Sequence, residues 1–168
     1  MILVTLGTQK FQMNRLIEAV DRIAPNYEDE FCIQIGYSTY EPVNCRYSRF
    51  YPTDQMKEMI NNCNLLIAHA GVGTVMTGIS AKRPIIVVPR LAKLAEHVDD
   101  HQCEIADAFA NKGCVIKCTD TDKLAECIQK AKTYDFKTYT EKGENIEDII
   151  YHFIGLFDPS HVKTKVST

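Results

Sequence analysis

The chain has 168 residues, the length of one ordinary domain, so a second folding unit is not expected. Apolar side chains make up 45% and charged ones 24%, near the globular average, which excludes disordered, collagen-like and coiled-coil readings. With 19 lysines and arginines against 22 acidic residues the net charge is -3, so no overall field recruits nucleic acid.

No apolar run approaches the ~20 residues that span a bilayer, and residues 1–6 lack the charged start and long apolar centre of a signal peptide. The expected location is therefore the cytosol. Cysteines 32, 45, 63, 103, 114, 118 and 127 are odd in number and scattered, without a C-x-x-C pair, and read as reduced thiols, mostly buried.

Residues 1–6 form an apolar run closed by Gly7-Thr8, after which Leu16, Ile17, Val20 and Ile23 recur at helical spacing until Pro25. The pattern predicts a strand, a tight turn and a helix. Residues 31–35 predict a second strand ended by Gly36, and the alternation over 45–51 a weaker one. Asp54 is placed to cap a helix through Ile60. Residues 65–68 predict a buried strand that runs into His69-Ala70-Gly71-Val72-Gly73-Thr74, with a helix from about Thr74 to Ala81. The β-branched run 85–88 predicts a strand covered on both faces, followed by a loop over 90–98. A helix is expected over 99–111, a sixth strand at Val115-Ile116, and a helix capped by Thr119-Asp120 through about Lys132. Ile146, Ile149, Ile150, Phe153, Ile154 and Phe157 mark a last amphipathic helix, and the polar residues 158–168 a flexible tail.

Strands alternating with helices in this way predict an α/β, doubly wound, Rossmann-like domain over residues 1–157, with about six parallel strands. Ligands of such sheets bind at the carboxyl ends of the strands. Three of the eight glycines fall at 71, 73 and 78, after a buried strand and at a helix start, where exposed N–H groups favour a phosphate; the alternative is a tight turn with no ligand. Met76 breaks the G-x-G-x-x-G pattern of dinucleotide sites, and Ile79-Ser80 break the P-loop, so neither NAD nor ATP hydrolysis is supported. The cluster from Glu96 to Gln102 falls at the same end of the sheet. His97 and His101 are four apart but have no third ligand at zinc spacing. Asp99 or Asp100 suffices to cap the helix, while His101 and Gln102 suit the hydroxyls of a sugar.

The segments Leu65 through Thr74, Lys82 through Arg90, Glu96-His97 and Asp100-His101-Gln102, with Leu6-Gly7-Thr8 and Asn14-Arg15-Leu16-Ile17 at the start, together resemble the carboxyl-terminal domain of family 28 glycosyltransferases over roughly residues 1–130. The resemblance implies the donor-binding half of a GT-B fold without its acceptor-binding half, as in the split members of the family. These include the small subunits of the dolichol-linked UDP-GlcNAc transferase and of bacterial exopolysaccharide and capsule β-1,4-galactosyltransferases. It implies a hexosyltransferase active with a membrane-associated acceptor-binding subunit that recruits it to the inner face of the membrane. The donor would be a UDP-sugar, with galactose or GlcNAc passed to a polyprenyl-linked saccharide and galactose the first expectation.

By the same resemblance, His69 and the turn Gly71, Val72, Gly73 and Thr74 would hold the diphosphate, with Gly7 and Thr8 also among the UDP-sugar-binding residues. The uracil would bind around the loop containing Pro89 and Arg90, His101 and Gln102 would contact the hexose, and Glu96 would also belong to the UDP-sugar site. Thr77 stands near the position where many relatives have a ribose-binding carboxylate, and Thr77 or Ser80 would reach the ribose in its place. No metal and no cofactor beyond the donor are implied, and the catalytic base would come from the partner. A non-catalytic nucleotide-sugar-binding or regulatory module of the same fold is the alternative.

Overall fold

The computed structural model describes residues 1–137. In chain order they form β1 (Ile2–Thr5), α1 (Asn14–Ile23), β2 (Phe31–Gln34), β3 (Arg46–Ser48), α2 (Thr53–Asn62), β4 (Leu65–Ala68), α3 (Val72–Ser80), β5 (Ile85–Val87), α4 (His101–Asn111), β6 (Ile116–Lys117) and α5 (Leu124–Ala131). The strands form one parallel sheet in the order β3-β2-β1-β4-β5-β6. Every residue of β1, β2, β4 and β5 is buried, as strands with helices on both faces must be. The architecture is the α/β, Rossmann-like one expected. Thr5 lies opposite both Gln34 and Ala68 in the ladder. The strand order reverses at β1 and β4, so a crevice opens between their carboxyl ends.

Local differences from the sequence reading have identifiable causes. Residues 6–13 form a long loop in place of a tight turn, because the buried Arg90 guanidinium gathers its carbonyls, donating to Leu6 O (2.6 Å), Phe11 O (3.1 Å) and Gln12 O (3.1 Å). The passage from β2 to β3 has no helix. It is held by the buried Asp21 carboxylate, which accepts from the Tyr40 hydroxyl (2.8 Å) and from the N–H groups of Val43 (3.0 Å) and Asn44 (2.6 Å). Burial pulls the Asp21 pKa upward, but these donors outweigh it and hold the carboxyl below its ordinary value.

α2 begins at Thr53 with Pro52 at its N-cap, so Asp54 sits in the first turn beside the positive helix end and is not the cap. α3 starts at Val72, earlier than expected. Asp120 does cap, accepting from Asp122 N (3.0 Å), and a 3-10 turn over Thr121–Lys123 leads into α5. All seven cysteines are unpaired. Among the described residues no helix is long and apolar enough to cross a membrane. The helix expected over 146–157 and the tail over 158–168 lie outside the described residues.

Candidate functional site

A cavity of about 340 Å³ occupies the crevice between β1 and β4. The turn after β1 contributes Gly7 and Thr8, and the turn after β4 contributes His69 and Gly71. The first turns of α3 add Gly73, Thr74 and Thr77, and the facing wall is built from Tyr51, Met56, Lys57 and Ile60.

His69 is the fixed point of this site. Its ring is buried between two glycines: a Cβ added to Gly7 would collide with Nε2, and one added to Gly71 with Cε1. Gly7 is also held at a φ of +71°, where a side chain is strained. The N–H of Gly71 donates to His69 Nδ1 (2.9 Å), and the Gln102 amide approaches the same nitrogen at 3.4 Å. An Nδ1 that accepts leaves the proton on Nε2, so the ring faces the Gly7 side of the cavity as a neutral donor. Burial, with the nearby Arg90 cation, pushes the His69 pKa down to about 4. The imidazole is therefore neutral throughout the physiological range.

α3 completes the seat. Its N-cap is Gly71 and no side chain caps it, so the first N–H groups of the helix are available at its positive end. A Cβ on Gly73 would meet nothing within 4 Å, and Gly73 needs no special φ in the fold. The Thr77 hydroxyl is turned back onto Gly73 O (2.8 Å).

The other expected ligand residues lie elsewhere. The Arg90 side chain is 1% exposed and its two terminal nitrogens donate to main-chain carbonyls, including Glu96 O (3.1 Å), while its buried Nε has no partner, so it braces the loop after β1 and does not line the cavity. Glu96 is equally buried and forms a two-pronged pair with Arg15 at 2.8 and 3.0 Å, while Arg15 also donates to Pro89 O (2.7 Å). Gln102 accepts from Ala70 N and Arg90 N (3.2 Å each) and thereby ties the turn after β4 to the loop after β5. It positions His69. His101 is about half exposed at the start of α4, beside Asp99 and Glu104. His97 faces Asp99 Oδ1 at 2.9 Å and packs on Phe11. The N-cap of α4 is Asp100, but its side chain does not cap the helix and instead accepts from Ala92 N (2.9 Å), while the Asp99 carboxylate, one residue earlier, accepts from His101 N (3.1 Å). Among the described residues no three His, Cys, Asp or Glu side chains are grouped as a metal site.

Several lining residues carry no motif. Gln34 donates to Thr5 Oγ1 (3.3 Å) and Gly7 O (3.2 Å) and accepts from Tyr51 N (3.0 Å), joining the two walls at the cavity floor. A glutamine inside the apolar run 31–35 was its only sequence signal. Tyr51, Met56 and Lys57 had none.

Residues 1–153 match the family profile described as the glycosyltransferase family 28 C-terminal domain. The chain belongs to this family. Over 120 residues it is 27% identical to the UDP-N-acetylglucosamine--N-acetylmuramyl-(pentapeptide) pyrophosphoryl-undecaprenol N-acetylglucosamine transferase of Prochlorococcus marinus, covering 69% of this chain and 32% of that one. Over 100 residues it is 31% identical to the UDP-N-acetylglucosamine transferase subunit ALG13 of Yarrowia lipolytica, covering 58% and 48%. The chain thus spans about a third to a half of the length of these relatives. A solution structure of ALG13 superimposes with a TM-score of 0.58 at 17% identity, covering 91% of this chain and 93% of that one. MurG of Acinetobacter baumannii superimposes at 0.55 with 20% identity, covering 79% and 41%. At such identities the superpositions establish the shared fold.

Proposed function

We propose that this chain is the donor-binding half of a two-component glycosyltransferase. With a membrane-associated acceptor subunit it transfers a sugar from a UDP-sugar to a lipid-linked saccharide at the inner face of the membrane. The observation that carries this reading is the neutral, locked Nε2–H of His69 beside the bare amino terminus of α3, within one cavity at the sheet's switch point. These donors suit a diphosphate that gains charge as it leaves. The acceptor oxygen attacks the anomeric carbon, the bond from that carbon to the diphosphate oxygen breaks, and UDP departs with the electron pair. The acceptor proton goes to a base. No carboxylate lines the cavity among the described residues, which supports a base supplied by the partner.

The apolar wall of Tyr51, Met56 and Ile60 is the seat we assign to the base of the nucleotide, in place of the Pro89-Arg90 loop. The names of the relatives support UDP-N-acetylglucosamine as donor, with UDP-galactose, in an exopolysaccharide or capsule pathway, as the competitor. Fixed dipoles neutralise the leaving group in this scheme without a metal ion.

Calorimetric titration of UDP, UDP-N-acetylglucosamine and UDP-galactose, with GDP and NAD as controls, tests the assignment. Uridine nucleotides alone should bind, and His69→Ala or Gly73→Asp should abolish the heat. Equal binding of GDP, or no uridine nucleotide binding, overturns it. One observation favours a binding module without turnover: Thr77 offers no carboxylate and its hydroxyl is already engaged. UDP binding without transfer in membranes that contain the partner would select that reading.

A further inference from the structure

Lys57 is the single charged side chain among the described residues that line the cavity. It lies on α2, on the wall that faces the amino terminus of α3, and its side chain is exposed. No hydrogen bond or ion pair within the described residues engages it. The other polar groups around the cavity are uncharged: Thr5, Thr8, Gln9, Gln34, Tyr51, Thr53, Thr74 and Thr77, with His69 held in its neutral tautomer by Gly71 N–H. A cavity whose remaining donors are all neutral dipoles has one full positive charge, and no ion pair within the described residues engages it.

We propose that the Lys57 ammonium pairs with the diphosphate of the nucleotide and is the residue that makes the cavity select for phosphate charge. The inference rests on the donor-binding reading above and adds a residue that no motif identifies. An ammonium on a flexible stem acts as a movable point charge, so it can follow a diphosphate whose charge grows as the sugar leaves. Charge-assisted hydrogen bonds to phosphate are about twice as strong as neutral ones. Because α2 is a wall of the cavity and not part of the glycine turns, the contribution of Lys57 should be separable from that of His69 and Gly73.

The test is titration of uridine, UMP, UDP and inorganic pyrophosphate into the wild-type protein, Lys57→Met and Lys57→Arg, at low and at raised salt. Wild type should bind in the order uridine, UMP, UDP, and its UDP affinity should weaken with salt. Lys57→Met should lose about tenfold or more in UDP affinity and most of the salt dependence. Its uridine affinity should be unchanged, and Lys57→Arg should retain most of the UDP affinity. An exposed lysine without partners leaves the melting temperature unaltered when replaced, so loss of binding with unchanged melting is not a folding effect. If Lys57→Met binds UDP as wild type does, with the same salt dependence, the inference falls and the donor-binding reading stands. If wild type binds no UDP, the donor-binding reading falls and this inference with it.

Discussion

Replacement of Gly73 by alanine should move stability and ligand binding in opposite directions. Gly73 is in the first turn of α3 with ordinary helical geometry, and an added Cβ would meet nothing within 4 Å. Alanine in a helix is more favourable than glycine by up to about 1 kcal/mol, chiefly through the unfolded chain. For a chain of this size that raises the melting temperature by about 2–4 °C. The new methyl group, however, stands in the open space where a phosphate would approach the helix N–H groups. Loss of one charge-assisted hydrogen bond costs about 1.5–3 kcal/mol, or roughly tenfold to a hundredfold in UDP affinity. Thermal unfolding and calorimetric titration on the same preparation read both quantities. Gly71→Ala is the control, because its Cβ collides with the His69 ring, and it should lose about 1–3 kcal/mol of stability together with binding. If Gly73→Ala stabilises the fold and binds UDP unchanged, the phosphate does not sit over this helix end and the placement of the donor is refuted.

Protonation of His69 supplies a second expectation. Its pKa of about 4 in the fold lies below the ordinary 6.5, so the unfolded chain binds the extra proton first as pH falls. Stability should hold above about pH 6.5 and decline between there and pH 4, by up to about 1.4 kcal/mol per unit and about 3 in all. Urea unfolding at pH 7, 5.5 and 4.5 should show His69→Asn lacking this slope; parallel curves for both proteins would contradict it. Asp21→Asn replaces one of two acceptor oxygens by an NH2 donor where two N–H groups and a hydroxyl converge, and chemical denaturation should show a loss of about 2–3 kcal/mol. Glu96→Gln leaves Arg15 facing a neutral amide at a buried site, with an expected cost of about 2 kcal/mol and looser proteolytic protection of the loop over 90–98. Chelation with EDTA should leave UDP affinity unchanged if fixed dipoles and Lys57 bind the diphosphate.

The parts of the fold that announced themselves were those whose burial is total. β1, β4 and β5 are covered on both faces; β4 and β5 read as unbroken apolar runs, and β1 is apolar up to Thr5. β3 is an edge strand with exposed residues, and alternation over 45–51 suggested a longer strand than the three residues that pair. Beyond the paired residues Ile35 N–H donates to Ser48 O and Gly36 N–H to Arg49 O, and the Arg49 side chain turns back to Ser38 O.

At the site, the glycine turns after β1 and β4 were legible because glycine is needed where backbone and imidazole come this close. The α2 wall was not, since nothing in the local pattern of a helix tells which of its residues faces a crevice formed by distant strands. Arg90, Glu96 and Gln102 illustrate a different limit. Spacing identifies polar residues that gather at one end of the sheet, but it does not separate those that line the cavity from those engaged in bracing its loops.

The two glycines against the His69 ring are glycines for different reasons, and this fixes the order in which the site can change. Gly71 has an ordinary φ of −70°, and the three atoms nearest to a Cβ there all belong to the imidazole. Replacing His69 by a small residue removes that collision. Gly7 keeps its left-handed backbone whatever stands at 69. A lineage or a designed library can therefore diversify 71 after 69 but not before it, while 7 stays fixed through both steps. Alanine at 71 beside histidine at 69 is the combination that selection for this fold should remove.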